Sequence, residues 1–86
     1  MFYTYILYCL DKKLYTGYSP DLKNRLQEHV AGRVISTKNR RPVELIYYEA
    51  CIDKFDALKR EKYLKSGKGK AYLKSRLRRF LIQRSG

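Results

Sequence analysis

Two runs rich in Tyr, Ile, Leu and Thr, Phe2 to Cys9 and Leu14 to Ser19, are separated by little more than the turn candidate Asp11-Lys12-Lys13. Both runs read as strands, and so short a connection can only join antiparallel neighbours. The chain therefore opens with a hairpin. On its first strand Tyr3, Tyr5, Leu7 and Cys9 share one face, while Phe2, Thr4, Ile6 and Tyr8 share the other. Ser19-Pro20-Asp21 then starts a helix. Ser19 is the expected N-cap, Pro20 fits the first helical position, and Asp21 suits the positive end of the helix dipole. Gly32 ends that helix. Residues 33–42 form a basic loop without clear periodicity, closed by Pro42. Val43 to Cys51 alternates as a third strand. Asp53 caps a second helix that runs to about Ser66, Gly67 and Gly69 break the chain, and Tyr72 to Ile82 forms a third helix. The order β-β-α-β-α-α describes an α+β fold with a small three-stranded antiparallel sheet flanked by helices, one domain across residues 1–86.

A chain of this length buries only a modest core. Its formal net charge of +12 implies a polyanionic partner, a nucleic acid or an anionic membrane. From Lys59 onward eleven residues are Lys or Arg, and the one acid is Glu61. Cys9 and Cys51 lie in apolar strand-like runs and read as free thiols of a reducing compartment. With a single histidine they cannot complete a zinc site. No signal-peptide pattern opens the chain, and no apolar run approaches a membrane-spanning length. A soluble, cytoplasmic monomer is expected.

Three residues stand out against this background. On the first helix Leu22, Leu26 and Val30 define the buried stripe, His29 falls within it, and Arg25 lies beside it. Taken singly, each has an ordinary reading: a core histidine with a satisfied hydrogen bond, and an arginine with its head in water. Two polar groups on the edge of one apolar stripe weaken that reading. On the second helix Glu61 sits at the angular middle of Ala57, Leu58 and Leu64. A carboxylate there needs a partner, either a neighbouring Lys or Arg or a divalent cation. Periodicity slightly favours the Lys or Arg.

These residues resemble, in their order along the chain, the GIY-YIG endonuclease superfamily. The first motif stands here as Tyr3-Thr4-Tyr5 and the second as Tyr15-Thr16-Gly17. Arg25 and His29 follow in Asp-Leu-Lys-Asn-Arg-Leu-Gln-Glu-His. Next come Arg40-Arg41-Pro42-Val43-Glu44-Leu45 and Ala57-Leu58-Lys59-Arg60-Glu61-Lys62. The likeness is greatest to small standalone members related to the nuclease domain of the excision-repair excinuclease. Two positions depart from the pattern: no Asn occurs beyond Asn39, and Tyr18 stands where some members carry Lys.

The resemblance implies a metal-dependent DNA endonuclease, nicking or structure-selective, of a kind used in repair. Glu61 would hold Mg²⁺ or Mn²⁺. Tyr15 or Tyr5 would orient and deprotonate the attacking water, aided by His29, and Arg25 would neutralise charge on the phosphate. The alternative is a non-catalytic nucleic-acid-binding domain of the same fold; docking of the basic C-terminal helix on a membrane is a weaker third reading. DNA is favoured over RNA. Lys38, Arg40, Arg41, Lys65, Lys68 and Lys70 are the expected backbone contacts. The site also requires Tyr5 and Tyr15 on one sheet face, so the hairpin connection should hold an odd number of residues or a bulge.

Overall fold

The hairpin turns as that condition demands. In the computed structural model, which describes residues 1–85, Tyr8 pairs with Leu14, Leu7 with Tyr15 and Tyr5 with Gly17. Cys9 N–H donates to Lys13 O and Lys12 N–H to Cys9 O, which leaves Leu10, Asp11 and Lys12 as the loop. Lys12 takes the left-handed conformation at φ 65° that such a three-residue loop requires. The strands are β1 (Phe2–Cys9), β2 (Leu14–Ser19) and β3 (Val43–Cys51), antiparallel in the order β2-β1-β3. A bulge between Ile6 and Leu7 shifts the β1–β3 register.

Helix α1 (Leu22–Val30) packs Leu22 and Leu26 on the sheet face of Tyr5, Leu7 and Cys9. Its cap differs from the expectation. Asp21, not Ser19, accepts from Asn24 N–H at 3.1 Å, while the Ser19 hydroxyl is taken up by the backbone of Asp21. Pro20 therefore precedes the helix. Val30 is not on the buried stripe but 58% exposed, while His29 beside it is fully buried. Gly32, at φ +79°, ends the helix: Gly32 N–H donates to His29 O and Arg33 N–H to Glu28 O. The basic loop that follows contains a four-residue helix, α2 (Ile35–Lys38).

The other sheet face carries Thr4, Ile6 and Thr16 and packs on α3 (Lys54–Lys65) and α4 (Gly67–Arg76), with Leu64, Leu73 and Leu77 over Ile6. Asp53 caps α3 as expected, accepting from Phe55 and Asp56 N–H. Gly67 and Gly69 do not break the chain. They open α4, with the Ser66 hydroxyl accepting from Gly69 N–H at 3.2 Å. A side chain at Gly69 would collide with the Tyr63 carbonyl, so glycine here permits close packing of α4 on α3. The expected helix over 72–82 is divided at Leu77 between α4 and α5 (Arg78–Ser85). The main-element order β-β-α-β-α-α stands, with α2 added and the last helical region split.

Candidate active site

Neighbouring residues of the first motif serve opposite sides of the sheet. Tyr5 points to the α1 face, where it is 1% exposed. Its phenol lies across Gly17 of β2, so closely that a Cβ at 17 would overlap the ring. Only glycine leaves that space, which is the steric reason for a glycine two residues after Tyr15. Thr4 points the other way and donates its hydroxyl to Ala57 O at 2.8 Å. In an α-helix the carbonyl of residue 57 is the acceptor for the N–H of residue 61. Thr4 thus fastens β1 to the turn of α3 that carries Glu61.

The Tyr5 hydroxyl is 2.7 Å from His29 Nε2, and His29 Nδ1 is 2.7 Å from Thr37 Oγ1. All three residues are buried. Burial, reinforced by the Arg25 charge and only partly opposed by Glu28, pulls the His29 pKa below its ordinary value, so the ring is neutral near pH 7. Burial pushes Tyr5 up to about 12; a hydrogen bond from Arg25 works against that rise, while the charges of Tyr15 and Glu61 add to it. His29 Nε2 is the acceptor within reach of the buried phenol, so the Tyr5 O–H donates to it. The other ring nitrogen then carries the proton and donates to Thr37. Every polar atom of this chain of bonds is satisfied, and among the described residues no buried side-chain nitrogen or oxygen lacks a partner.

Tyr15 closes the cluster. Its ring centroid is 5.2 Å from His29 and 6.4 Å from Tyr5, both tilted contacts of the kind aromatic pairs prefer. Arg25 is 37% exposed in its side chain and pairs with Glu28 at 3.2 Å, and its charge opposes the rise at the Tyr5 phenol. Glu61 pairs through Oε2 with Lys65 at 3.3 Å, with 21% of its side chain exposed. Its ordinary partner is therefore present, and its charge is still felt at Tyr5. Tyr5, Tyr15 and His29 meet in direct ring contact, and Arg25 and Glu61 act on the same phenol.

Thr37 joins this cluster through His29, and the sequence alone does not mark it. The signal for it is the histidine itself: a fully buried imidazole has two nitrogens to satisfy, and the facing loop offers Ser36 and Thr37. Among the described residues no three His, Cys, Asp or Glu side chains cluster as a metal site. A single carboxylate is nonetheless what Mg²⁺ asks of a protein, with waters and substrate phosphate completing its shell. Glu61 fits that donor set.

The expected backbone-contact residues divide. Arg40 is bound to Asp11 at 2.7 Å, and Arg41 donates from Nε to Lys38 O at 3.0 Å and covers the end of α1. Both therefore have intramolecular partners at the surface. Lys38, Lys68 and Lys70 are exposed, and Lys65 is the partner of Glu61. No helix among the described residues is long and apolar enough to cross a membrane.

This architecture has relatives. A UPF0213 protein of Pediococcus acidilactici is 41% identical over 76 residues, covering 85% of this chain and 78% of its own length. One from Streptococcus pyogenes serotype M3 is 48% identical over 67 residues, covering 77% of this chain and 73% of its own. The solution NMR structure of a UPF0213 protein from Bacillus halodurans superposes with a TM-score of 0.55 at 35% identity, covering 87% of this chain and 84% of that one. The family model of the GIY-YIG catalytic domain matches residues 1–79. A match that takes in all three strands and every helix up to the first turn of α5 means that this chain belongs to the GIY-YIG nuclease family.

Proposed function

We propose that this protein is a divalent-metal-dependent endonuclease that hydrolyses DNA phosphodiester bonds, nicking or acting on a particular DNA structure in the manner of a repair enzyme. The observation that carries this reading is the Tyr5 hydroxyl held at 2.7 Å from a neutral, fully buried His29, beside Arg25 and within the field of Glu61.

A phenol with a raised pKa is a poor base by itself. Joined to a neutral imidazole it becomes a relay. The Tyr5 oxygen accepts a proton from the attacking water as its own proton passes to His29 Nε2, and the resulting imidazolium stays hydrogen-bonded to Thr37. Tyr15, against the same imidazole, orients the water. Arg25 neutralises charge on the phosphate. Glu61 would hold Mg²⁺ or Mn²⁺, which supplies charge stabilisation at the phosphoryl oxygens. Lys65, 3.3 Å away, orients that carboxylate. Two free cysteines suit a reducing compartment, so the activity belongs to the cytoplasm.

The test is a cleavage assay on supercoiled, branched and single-stranded DNA with Mg²⁺ or Mn²⁺ and an EDTA control. Metal-dependent nicks that vanish in EDTA are expected. Tight binding with no cleavage of any substrate would make the protein a non-catalytic nucleic-acid-binding domain.

A further inference from the structure

On the side of the sheet away from Tyr5 lies a cleft of about 670 Å³ between the β1–β2 hairpin and helices α3, α4 and α5. Its floor is apolar, made by Leu14, Leu64, Leu73 and Leu81. Tyr8 is the aromatic side chain in its wall, held by an edge contact with Phe80 at 5.4 Å between centroids. Lys12, Lys13, Lys70 and Lys74 stand around it. None of these four lysines has an ion pair among the described residues, and no acid lines the cleft. Hydrolysis at Tyr5 and Tyr15 uses none of these groups.

We propose that this cleft binds one unpaired nucleotide of the DNA strand whose neighbouring phosphate lies at Tyr5 and Tyr15. The proposal rests on the nuclease reading and specifies its substrate: DNA with an extruded or single-stranded base beside the scissile bond. Three features carry it. First, the chemistry is complementary to a nucleotide, an apolar floor with one aromatic wall for a base and lysines for the phosphates on either side. Second, the size is that of a pocket for one small molecule, enough for one or two nucleotides but not for a duplex. Third, the cleft shares β2 and α3 with the proposed site. Thr16, between Tyr15 and Gly17, lines the cleft while its neighbours face Tyr5. Lys65 lines it too and holds Glu61. Because β2 is an edge strand, a ligand passes from one face to the other by rounding a single strand. The floor that would meet a base is Leu14, Leu64, Leu73 and Leu81, and the lysines around it suit phosphates rather than one base edge, so binding is tolerant of sequence and sensitive to pairing.

The experiment measures binding in EDTA, where hydrolysis plays no part. The probes are a duplex with one central unpaired 2-aminopurine, the same duplex with an abasic unit in its place, and the fully paired duplex. The unpaired base should bind about tenfold more tightly than either control, with a change in 2-aminopurine fluorescence. Tyr8→Ala should erase that preference and leave the affinity for the abasic duplex unchanged, which also shows that the variant is folded. Tyr8→Phe should retain the preference. Equal affinity for all three duplexes overturns the proposal even if the protein cleaves DNA. A clear base preference in a protein that never cleaves upholds the cleft and overturns only the nuclease reading. If an acidic peptide with apolar residues displaces the abasic and unpaired duplexes alike, and no base preference exists, the cleft is a peptide site and the proposal fails.

Discussion

The phenol of Tyr5 occupies the space where Gly17 would carry a side chain, on the strand beside it. A methyl group at 17 must push the ring aside and lengthen its 2.7 Å contact with His29. Gly17→Ala should therefore cost about 1–3 kcal/mol as an overpacked core position. It should also lower cleavage far more than binding. Gly67→Ala is the control, since nothing lies within 4 Å of the added atom and the position is the first of α4. Urea unfolding of both variants separates the two cases, and equal stability would mean that the ring moves freely.

Tyr5→Phe keeps the ring over Gly17 and removes the hydroxyl. His29 Nε2 then loses its partner in a fully buried place, at a cost of about 1–3 kcal/mol. The relay also loses its first member, so cleavage should fall at least about a hundredfold. Binding to DNA should be unchanged. A Tyr5→Phe protein that cuts at the original rate would assign the water to Tyr15.

Thr37→Val tests the far end of the same chain of hydrogen bonds. The shape is kept, the hydroxyl is removed, and His29 Nδ1 is left unsatisfied. Cleavage should drop while Thr37→Ser, which keeps the hydroxyl, should recover most of it. A purely structural Thr37 would show parallel losses of stability and no rescue of rate beyond rescue of folding.

Much of this arrangement is legible in the sequence. Alternation in β1 and β2 puts Tyr5 and Tyr15 on neighbouring strands, and the demand that they share a face requires an odd connection, which the loop Leu10-Asp11-Lys12 supplies. What alternation cannot supply is anything short or set by contact. Ser19 and Asp21 are both good caps, and the choice falls to Asp21 because its carboxylate lies within reach of Asn24 once Leu22 and Leu26 face the sheet. The helix α2 has four residues, too few for a period to show, so Thr37 stays hidden. Gly69 reads locally as a breaker, and only the nearness of the Tyr63 carbonyl reveals it as a contact glycine. The partner of Arg40, Asp11 on the hairpin, is equally non-local, and Arg41 adds to its local bond with Lys38 O a contact to Val30 on α1.

Acid should weaken both the fold and the relay. In the unfolded chain His29 takes up a proton near the ordinary value of about 6.5. In the folded chain burial and Arg25 depress that value. Below about pH 6.5 the unfolded state therefore binds more protons, so stability is fully present above that pH and falls as pH drops toward the depressed value. Asp11, held below the usual carboxylate range by Arg40, contributes only at still lower pH. The midpoint of urea unfolding should be flat from about pH 7 to 8 and decline below about 6.5, and His29→Gln should remove that decline. An unchanged slope in the variant would show that other groups carry it.

Glu61→Gln removes the charge and keeps the shape. The amide cannot hold a divalent cation as a carboxylate does, so cleavage should be abolished in Mg²⁺ and in Mn²⁺. Lys65 is at the same time freed from its 3.3 Å pair and becomes available to a phosphate. DNA binding in EDTA should therefore hold or tighten. If each lysine or arginine that newly meets a phosphate releases condensed counterion, the slope of log K against log salt should steepen by about 0.9 on B-DNA. Lys65→Ala gives the opposite result if the pair matters: some cleavage remains, because the carboxylate is intact, and the slope does not steepen. Lys38→Ala with Lys68→Ala supplies the reference for an ordinary phosphate-binding lysine, since both side chains are exposed and without ion pairs among the described residues. That double variant should flatten the slope by about 0.9 for each phosphate no longer neutralised, on every sequence alike. Wild-type cleavage by Glu61→Gln would leave the carboxylate as nothing more than the partner of Lys65.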